Sequence, residues 1–450
     1  MKAVSQNPTR TARLTKLFGT IALGGTLASQ LMACSPQTIA TSSFASSLEL
    51  DRETHAFNRA FKPGTQAAKD ESEKMAKLAE KLVRSNTMHI AHKVAFQALE
   101  LHQSNTRAQF ILKMTAPLME LKGIYSRVLP IVSVRPEKRR EYKNYLKQIR
   151  EWNAGNPDLV NFLIEGQPDL HRESQVQDVI EKYVERTDEL RDWLKENRKQ
   201  DFSYTYYIPG EIELPACIAT EKASGVWQLD NCNRGVTAKT VKLNMADFES
   251  IRQIAAGVQV YAAMATAYSV DGIMKASAAL PSTDASEQTK YESFSKIKGL
   301  GQLRNTKFFV LAPKVVSDFV IGYRVAKKLH TELCPAGGFQ DNSRPGMLFH
   351  GGICTDRTEN GERLIATLDL LARGKIAPVS FQVADGAKID VAMDTKTFIR
   401  QPPKDLRDLG PAKFNKCEQV EALADGTFAG LFSKGELNDI LAHESKSNCP

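Results

Sequence analysis

The sequence predicts a mainly α-helical protein, built of helical hairpins or a bundle, with a small β insert and a loop-rich, disulfide-bonded C-terminal region. Three observations carry this. From about Glu53 to Gln200 glycine is scarce, Ala, Leu, Glu, Lys and Arg are abundant, and apolar residues recur at the spacing that one face of a helix requires. Tyr204 to Leu243 then turns to short β-branched and aromatic runs punctuated by Pro209-Gly210, Ser224-Gly225 and Asn233-Arg234-Gly235. The chain has seven cysteines, and every one after Cys34 lies between Cys217 and Cys449.

At the N-terminus, Lys2, Arg10, Arg13 and Lys16 precede an apolar run, Leu17 to Leu31, that is interrupted by Gly, Thr, Ser and Gln. The run is too short and too polar for a comfortable membrane span. Leu31-Met32-Ala33-Cys34 ends it. This layout resembles the lipobox of exported bacterial lipoproteins, with Met32 standing where a smaller residue is commoner. The resemblance implies that 1–33 is a removed signal peptide and that a lipidated Cys34 holds the mature chain to a membrane. Each buried acyl CH₂ contributes roughly 0.8 kcal/mol to such an anchor. An ordinary secretory signal that happens to contain a cysteine is the other reading. Ser35, where an aspartate commonly retains such proteins in the inner membrane, points to the outer membrane. Periplasmic or surface exposure stays open.

Residues 34–52 are Ser/Thr-rich and read as a flexible tether. Residues 53–203 form the helical region. Its clearest stripe is Val176, Val179, Ile180, Tyr183, Thr187, Leu190 and Leu194, which must bury against another helix, while Glu181, Lys182, Glu185, Arg186, Asp188, Glu189 and Arg191 occupy the other faces. Ala91, Ala95, Ala98-Leu99-Glu100-Leu101, Asn105 and Ala108 resemble the second helix of a tetratricopeptide repeat and the entry into the next one. Gln103 replaces the usual proline and Lys113 the next glycine. The match covers about one repeat, so a helical-hairpin array and a non-repetitive bundle both remain open.

Residues 204–243 read as a strand-rich insert, with strands near Tyr206 to Ile208, Glu211 to Leu214, Val226 to Leu229 and Val236 to Leu243. Residues 244–330 return to helix. Gln253 to Val270 carries no charge over 18 residues, just long enough to raise the question of a membrane span, although six alanines and several polar residues favour a buried core helix. Pro281 to Glu292 reads as a polar connection, and Phe308 to Leu329 as two apolar segments separated by Ala312-Pro313. Within residues 331–450, Glu362 to Arg373 is a short helix, Val379 to Val391 a hairpin turning at Asp385-Gly386, and Gln401-Pro402-Pro403 opens a tail ending at Cys449. Leu243, Met245-Ala246-Asp247 with the helix that follows, and Thr427-Phe428 with Gly430-Leu431-Phe432, are similar to segments of repeat-bearing bacterial lipoproteins whose activity is undefined.

If Cys34 carries lipid, six cysteines remain, an even number in a compartment where disulfides persist. Their order pairs Cys217 with Cys232, Cys334 with Cys354, and Cys417 with Cys449 as neighbours, each bridge worth roughly 2–4 kcal/mol. No Cys-x-x-Cys occurs, so a zinc ribbon is disfavoured. The chain holds 60 Lys and Arg against 52 Asp and Glu; the first 33 residues carry four of those cations and no acid, leaving a net of +4, which is no nucleic-acid signature.

The catalytic templates fail in turn. His89 and His92 share a helix face but lack a metalloprotease glutamate and a third ligand. Asp356-x-Thr358-x-Asn360-Gly361 resembles the front half of a calcium loop, yet Thr367 stands where a bidentate glutamate belongs. His350-Gly351-Gly352 offers oxyanion-type amides without any Gly-x-Ser-x-Gly elbow, and Ser293-x-x-Lys296 lacks the companion motifs of acyl transfer. Phosphate-loop and dinucleotide fingerprints are missing. Arg135, Lys138, Arg139, Arg140, Lys143, Lys147 and Arg150 form a basic run diluted by Glu137, Glu141 and Glu151, which reads as a solvated helix face. No cofactor or metal is therefore expected. The expected function is a lipid-anchored binding or scaffold module for a protein or peptide partner; the alternative is a cell-envelope hydrolase or carbohydrate-processing enzyme whose carboxylates the fold brings together.

Overall fold

The computed structural model describes residues 63–83, 87–133, 140, 142–144, 146–147, 162–199, 202–208, 218–221, 227–230, 237–243, 245–274, 286–333, 359–382, 388–415, 417, 420–433 and 436–447. The chain divides into two compact units: one holds residues up to Thr115 with 149–162 and Tyr204–Thr240, and the other holds Ala116–Gln148, Leu163–Ser203 and Val241–Pro450. The described part is mainly helical, with four two-stranded sheets.

In the first unit, α1 (Gln66–Leu82) and α2 (Met88–Leu101) pack as a helical hairpin, followed by the start of α3 (Thr106–Glu120). Small residues make the seam. Ala68, Ser72, Ala76 and Ala79 of α1, and Ala91, Ala95 and Ala98 of α2, are all fully buried. The close approach lets the Ser72 hydroxyl donate to the Ala98 carbonyl at 2.7 Å. Asn105 ties α3 to this seam: its Nδ2 donates to Ser72 Oγ at 3.0 Å, and its Oδ1 accepts from the Ala108 amide at 3.0 Å, satisfying one open donor of the new helix. Arg107 bridges Glu73 and the buried Glu80 on α1. The insert contributes β1 (Phe202–Ile208) paired with β4 (Thr237–Leu243), and β2 (Ile218–Glu221) antiparallel to β3 (Trp227–Asp230). Tyr204 of β1 meets Phe110 of α3 edge to face at 5.3 Å.

The second unit is built on three long helices. α6 (Glu173–Asn197) and α9 (Lys307–Leu333) flank α7 (Met245–Ala267), which runs antiparallel to both. Contacts at the two ends show the direction: Gln177 Nε2 donates to the Ala265 and Tyr268 carbonyls, while Arg198 pairs with Glu249. α4 (Ile124–Arg127) and α5 (Leu129–Val132) sit before α6, where Ile131, Leu170 and Val179 form a small core. There Gly123, at φ 65°, crosses Gly166 so closely that an added Cβ would lie 2.5 Å from the Gly166 Cα.

The C-terminal part adds α8 (Glu287–Ser295), α10 (Glu359–Ala372), the antiparallel pair β5 (Ala377–Gln382) and β6 (Lys388–Met393), α11 (Thr395–Arg400), the antiparallel pair β7 (Pro411–Phe414) and β8 (Val420–Leu423), and α12 (Glu436–Ser447). Val391 and Ile440 centre its core, with Val379, Ile389, Phe432 and Leu437 around them. Asp425 organises the turn after β8, accepting from the amides of Thr427 and Ala429 at 2.9 and 2.6 Å. Those bonds hold Phe428 and Ala429 at φ 48° and 56°, a conformation side chains disfavour.

Several expectations need correction. Ala312-Pro313 does not separate two segments, because α9 runs through Pro313 unbroken. The connection expected at 281–292 is helical from Glu287, with the Ser286 hydroxyl accepting from the Thr289 amide. The region after Gln401 is no plain tail, since it carries a hairpin and α12. Among the described residues, no helix is long and apolar enough to cross a membrane.

Candidate functional site

The helix α7 is inverted relative to the usual amphipathic pattern. Its inward face, between α6 and α9, combines Ala255, Ala256, Ala263 and Ala267 with Arg252, Gln259 and Thr266, all buried. Its opposite face is Ile254, Gly257, Val258, Tyr261, Met264 and Ala265, which repeat at 3–4 spacing and contain no charge. Tyr261 is 62% exposed and Met264 52%. Buried polar groups and exposed apolar groups are the two informative exceptions to ordinary burial, and here one helix supplies both.

The inward side is a closed ionic network. Arg191 of α6, only 2% exposed, donates to Asp318 of α9 at 2.7 Å, to Gln259 of α7 at 2.6 Å and to Asp188 at 3.2 Å. Gln259 returns its amide to the Val184 carbonyl at 3.1 Å. Nearer the start of α7, Glu249, 1% exposed, accepts from Arg198 at 3.1 Å and from Arg252 at 2.9–3.0 Å. Gly322 of α9 passes over this pair; a Cβ there would stand 3.0 Å from Glu249 Oε2. Burial pushes the Arg191 guanidinium below its ordinary value, and Asp318 and Asp188 oppose that shift. Each buried acid in the network faces an arginine, so the arrangement neutralises charge rather than leaving an acid poised for proton transfer.

The outward side has the composition of a contact surface. A helix-interior glycine costs about 1 kcal/mol relative to alanine. Among the described residues, a Cβ built at Gly257 meets nothing within 4 Å.

The residues singled out by sequence are scattered. His89 and His92 are half-buried on α2, and His92 Nδ1 lies 2.8 Å from Thr115 Oγ1. Among the described residues, no group of three or more His, Cys, Asp or Glu side chains is arranged to hold a metal ion. Ser293 donates to the Thr289 carbonyl of its own helix at 2.8 Å, while Lys296 is exposed. Arg140, Lys143 and Lys147 are exposed; Arg135, Lys138, Arg139 and Arg150 lie outside the described residues, as do His350-Gly351-Gly352, Asp356 and Thr358. Cys417 is exposed between β7 and β8. Cys34, Cys217, Cys232, Cys334, Cys354 and Cys449 lie outside the described residues.

The inner network was missed by sequence reasoning, which put Arg191 on a solvated face. The signal was present: 191 stands four residues after Thr187 and three before Leu194, within the same stripe. No family model, curated protein or solved structure matches this chain.

Proposed function

We propose that this chain is a lipid-anchored cell-envelope protein that binds or scaffolds a protein partner. The observation that carries the reading is the outward face of α7, an uncharged apolar stripe with Tyr261 and Met264 exposed, on a helix held rigidly by the ionic network behind it. Contiguous exposed apolar surface of this kind marks interaction sites. The acids Asp318 and Glu249 behind it are matched to arginines, so this network does not itself supply a hydrolytic carboxylate pair.

Anchoring through Cys34, an outer-membrane location and the pairs Cys217–Cys232, Cys334–Cys354 and Cys417–Cys449 are part of the same proposal, resting on the sequence pattern. A tetratricopeptide-like origin for the first unit is supported by the α1–α2 seam and by Asn105 capping α3. The test is in-cell crosslinking followed by affinity purification, with Cys34→Ser as the comparison. A defined protein adduct that is lost when Cys34 is replaced supports an anchored binding module. Recovery of no protein from correctly lipidated chain overturns it and directs attention to glycan or small-molecule substrates.

A further inference from the structure

We infer that a cationic strip on the C-terminal part of the second unit docks on an anionic phospholipid surface. The inference goes beyond the binding role proposed for α7, and it rests on the anchor at Cys34 only for nearness to lipid. The cations are Lys375, between α10 and β5, Lys396 and Arg400 of α11, and Lys404 in the segment that follows; all four are exposed. Separate pieces of chain bring them together. The Thr395 hydroxyl donates to the Leu371 carbonyl at 3.0 Å, which ties the start of α11 to the end of α10. Gly374, at φ 62°, makes the turn before β5, and the stem of Lys396 lies over it: a Cβ built at Gly374 would stand 3.6 Å from the Lys396 Cβ. Lys396 and Arg400 share one face of α11 at four-residue spacing. Lys404 is fixed next, its carbonyl accepting from the Leu303 amide at 2.8 Å.

Two observations select the occupant, and the first is charge left over. Arg304, Lys307 and Lys314, between α6 and α9, are each matched to an acid. By contrast, among the described residues neither an ion pair nor a side-chain hydrogen bond engages Lys375, Lys396, Arg400 or Lys404. The acids near them are already held: Asp369 by Arg324 and Arg373, Asp390 by the Ser380 hydroxyl, Asp394 by the Lys396 amide and Asp405 by Arg407. Asp408, exposed beyond Leu406, ends the run. The strip therefore complements a surface of phosphates. The second observation is apolar. Ile376, beside Lys375, is 62% exposed, and Leu406, two residues after Lys404, is 38% exposed. A soluble polyanion is bound by the cations alone. A bilayer uses both kinds of group, because Ile376 and Leu406 enter the acyl boundary while the long cationic side chains stay at the level of the phosphates.

The test uses the full-length chain with Cys34→Ser, so that attachment through lipid does not mask docking. Co-sedimentation is measured with vesicles of phosphatidylcholine alone and of phosphatidylcholine mixed with phosphatidylglycerol. The chain is expected to bind the mixed vesicles, to leave the neutral ones free, and to be released near 1 M NaCl, where the screening length falls to about 3 Å. Replacing Lys375, Lys396 and Arg400 together by Gln is expected to weaken binding at least tenfold. The same change at Lys182, Lys195 and Lys199, exposed cations on and just after α6, is expected to leave it unchanged. Ile376→Ser is expected to weaken it severalfold, and circular dichroism should stay the same throughout because every replaced side chain is exposed. Equal losses from the two triple variants, equal binding to neutral vesicles, or no binding at all overturns the docking surface and leaves the Cys34 anchor and the role of α7 standing. An Ile376→Ser chain that binds as well as the native one, with soluble heparin displacing both, overturns lipid as the occupant in favour of an acidic polysaccharide.

Discussion

Arg191 shows how much a single side chain organises. Its guanidinium joins all three long helices of the second unit through Asp188, Gln259 and Asp318, and its Nε is buried without a hydrogen bond. Burying an arginine is offset only while its partners remain. Arg191→Ala is therefore expected to cost about 3–5 kcal/mol, because Asp318 loses its cation in a largely buried position. The double change Arg191→Met with Asp318→Leu is expected to recover most of that loss, since it removes both charges and keeps the volume. Denaturant unfolding of the three chains reads this directly; a loss under 1 kcal/mol for Arg191→Ala would show that the network is incidental. Reading Arg191 from sequence as solvated followed the usual preference of arginine for water. Helix phase opposes that preference, and phase wins because the acceptors stand on neighbouring helices that no local pattern reveals.

At the scale of elements, the α6–α9 contact is an electrostatic ladder. Asp178, Glu181, Glu185, Asp188 and Asp192 line one side of α6, and Arg304, Lys307 and Lys314 meet them from the approach to α9 and its first turns. These pairs are partly exposed and each contributes roughly 0–1 kcal/mol. Arg304→Gln, which uncouples both Asp178 and Glu181, is expected to lower stability by about 1 kcal/mol at low ionic strength. The difference should vanish near 1 M NaCl, where the screening length falls to about 3 Å. Equal losses at low and high salt, followed by thermal unfolding, would assign Arg304 a packing role instead. Pro313 teaches the complementary lesson. It removes one helical donor and ordinarily ends a helix, yet α9 continues because Phe309, Val315 and Val320 on either side are buried. Three large apolar side chains together outweigh a local cost of about 3 kcal/mol.

At the scale of the molecule, the second unit is discontinuous in sequence: α6 precedes the insert, and α7 and α9 follow it. A fragment spanning residues 63–203 contains α6 without the helices that bury Leu190, Leu194 and Arg191. Its α6 amides are expected to exchange within the range of an isolated helix, whereas in the whole chain they should be among the slowest. Hydrogen exchange with mass spectrometry compares the two, and equal protection would show that α6 is held by the segment before it. Helix content, the stripe on α6, strands near 206–208, 226–229 and 236–243, the hairpin near 379–391 and the uncharged run 253–270 were legible in the sequence, because side-chain periodicity and turn residues act locally; the strand at Ile218–Glu221 was not, and the run expected at 211–214 lies outside the described residues. The direction in which α7 faces was not legible. Alanines lie on both of its sides, and only the acceptors and cations presented by α6 and α9 decide that Arg252 and Gln259 turn inward while Tyr261 and Met264 are left outside.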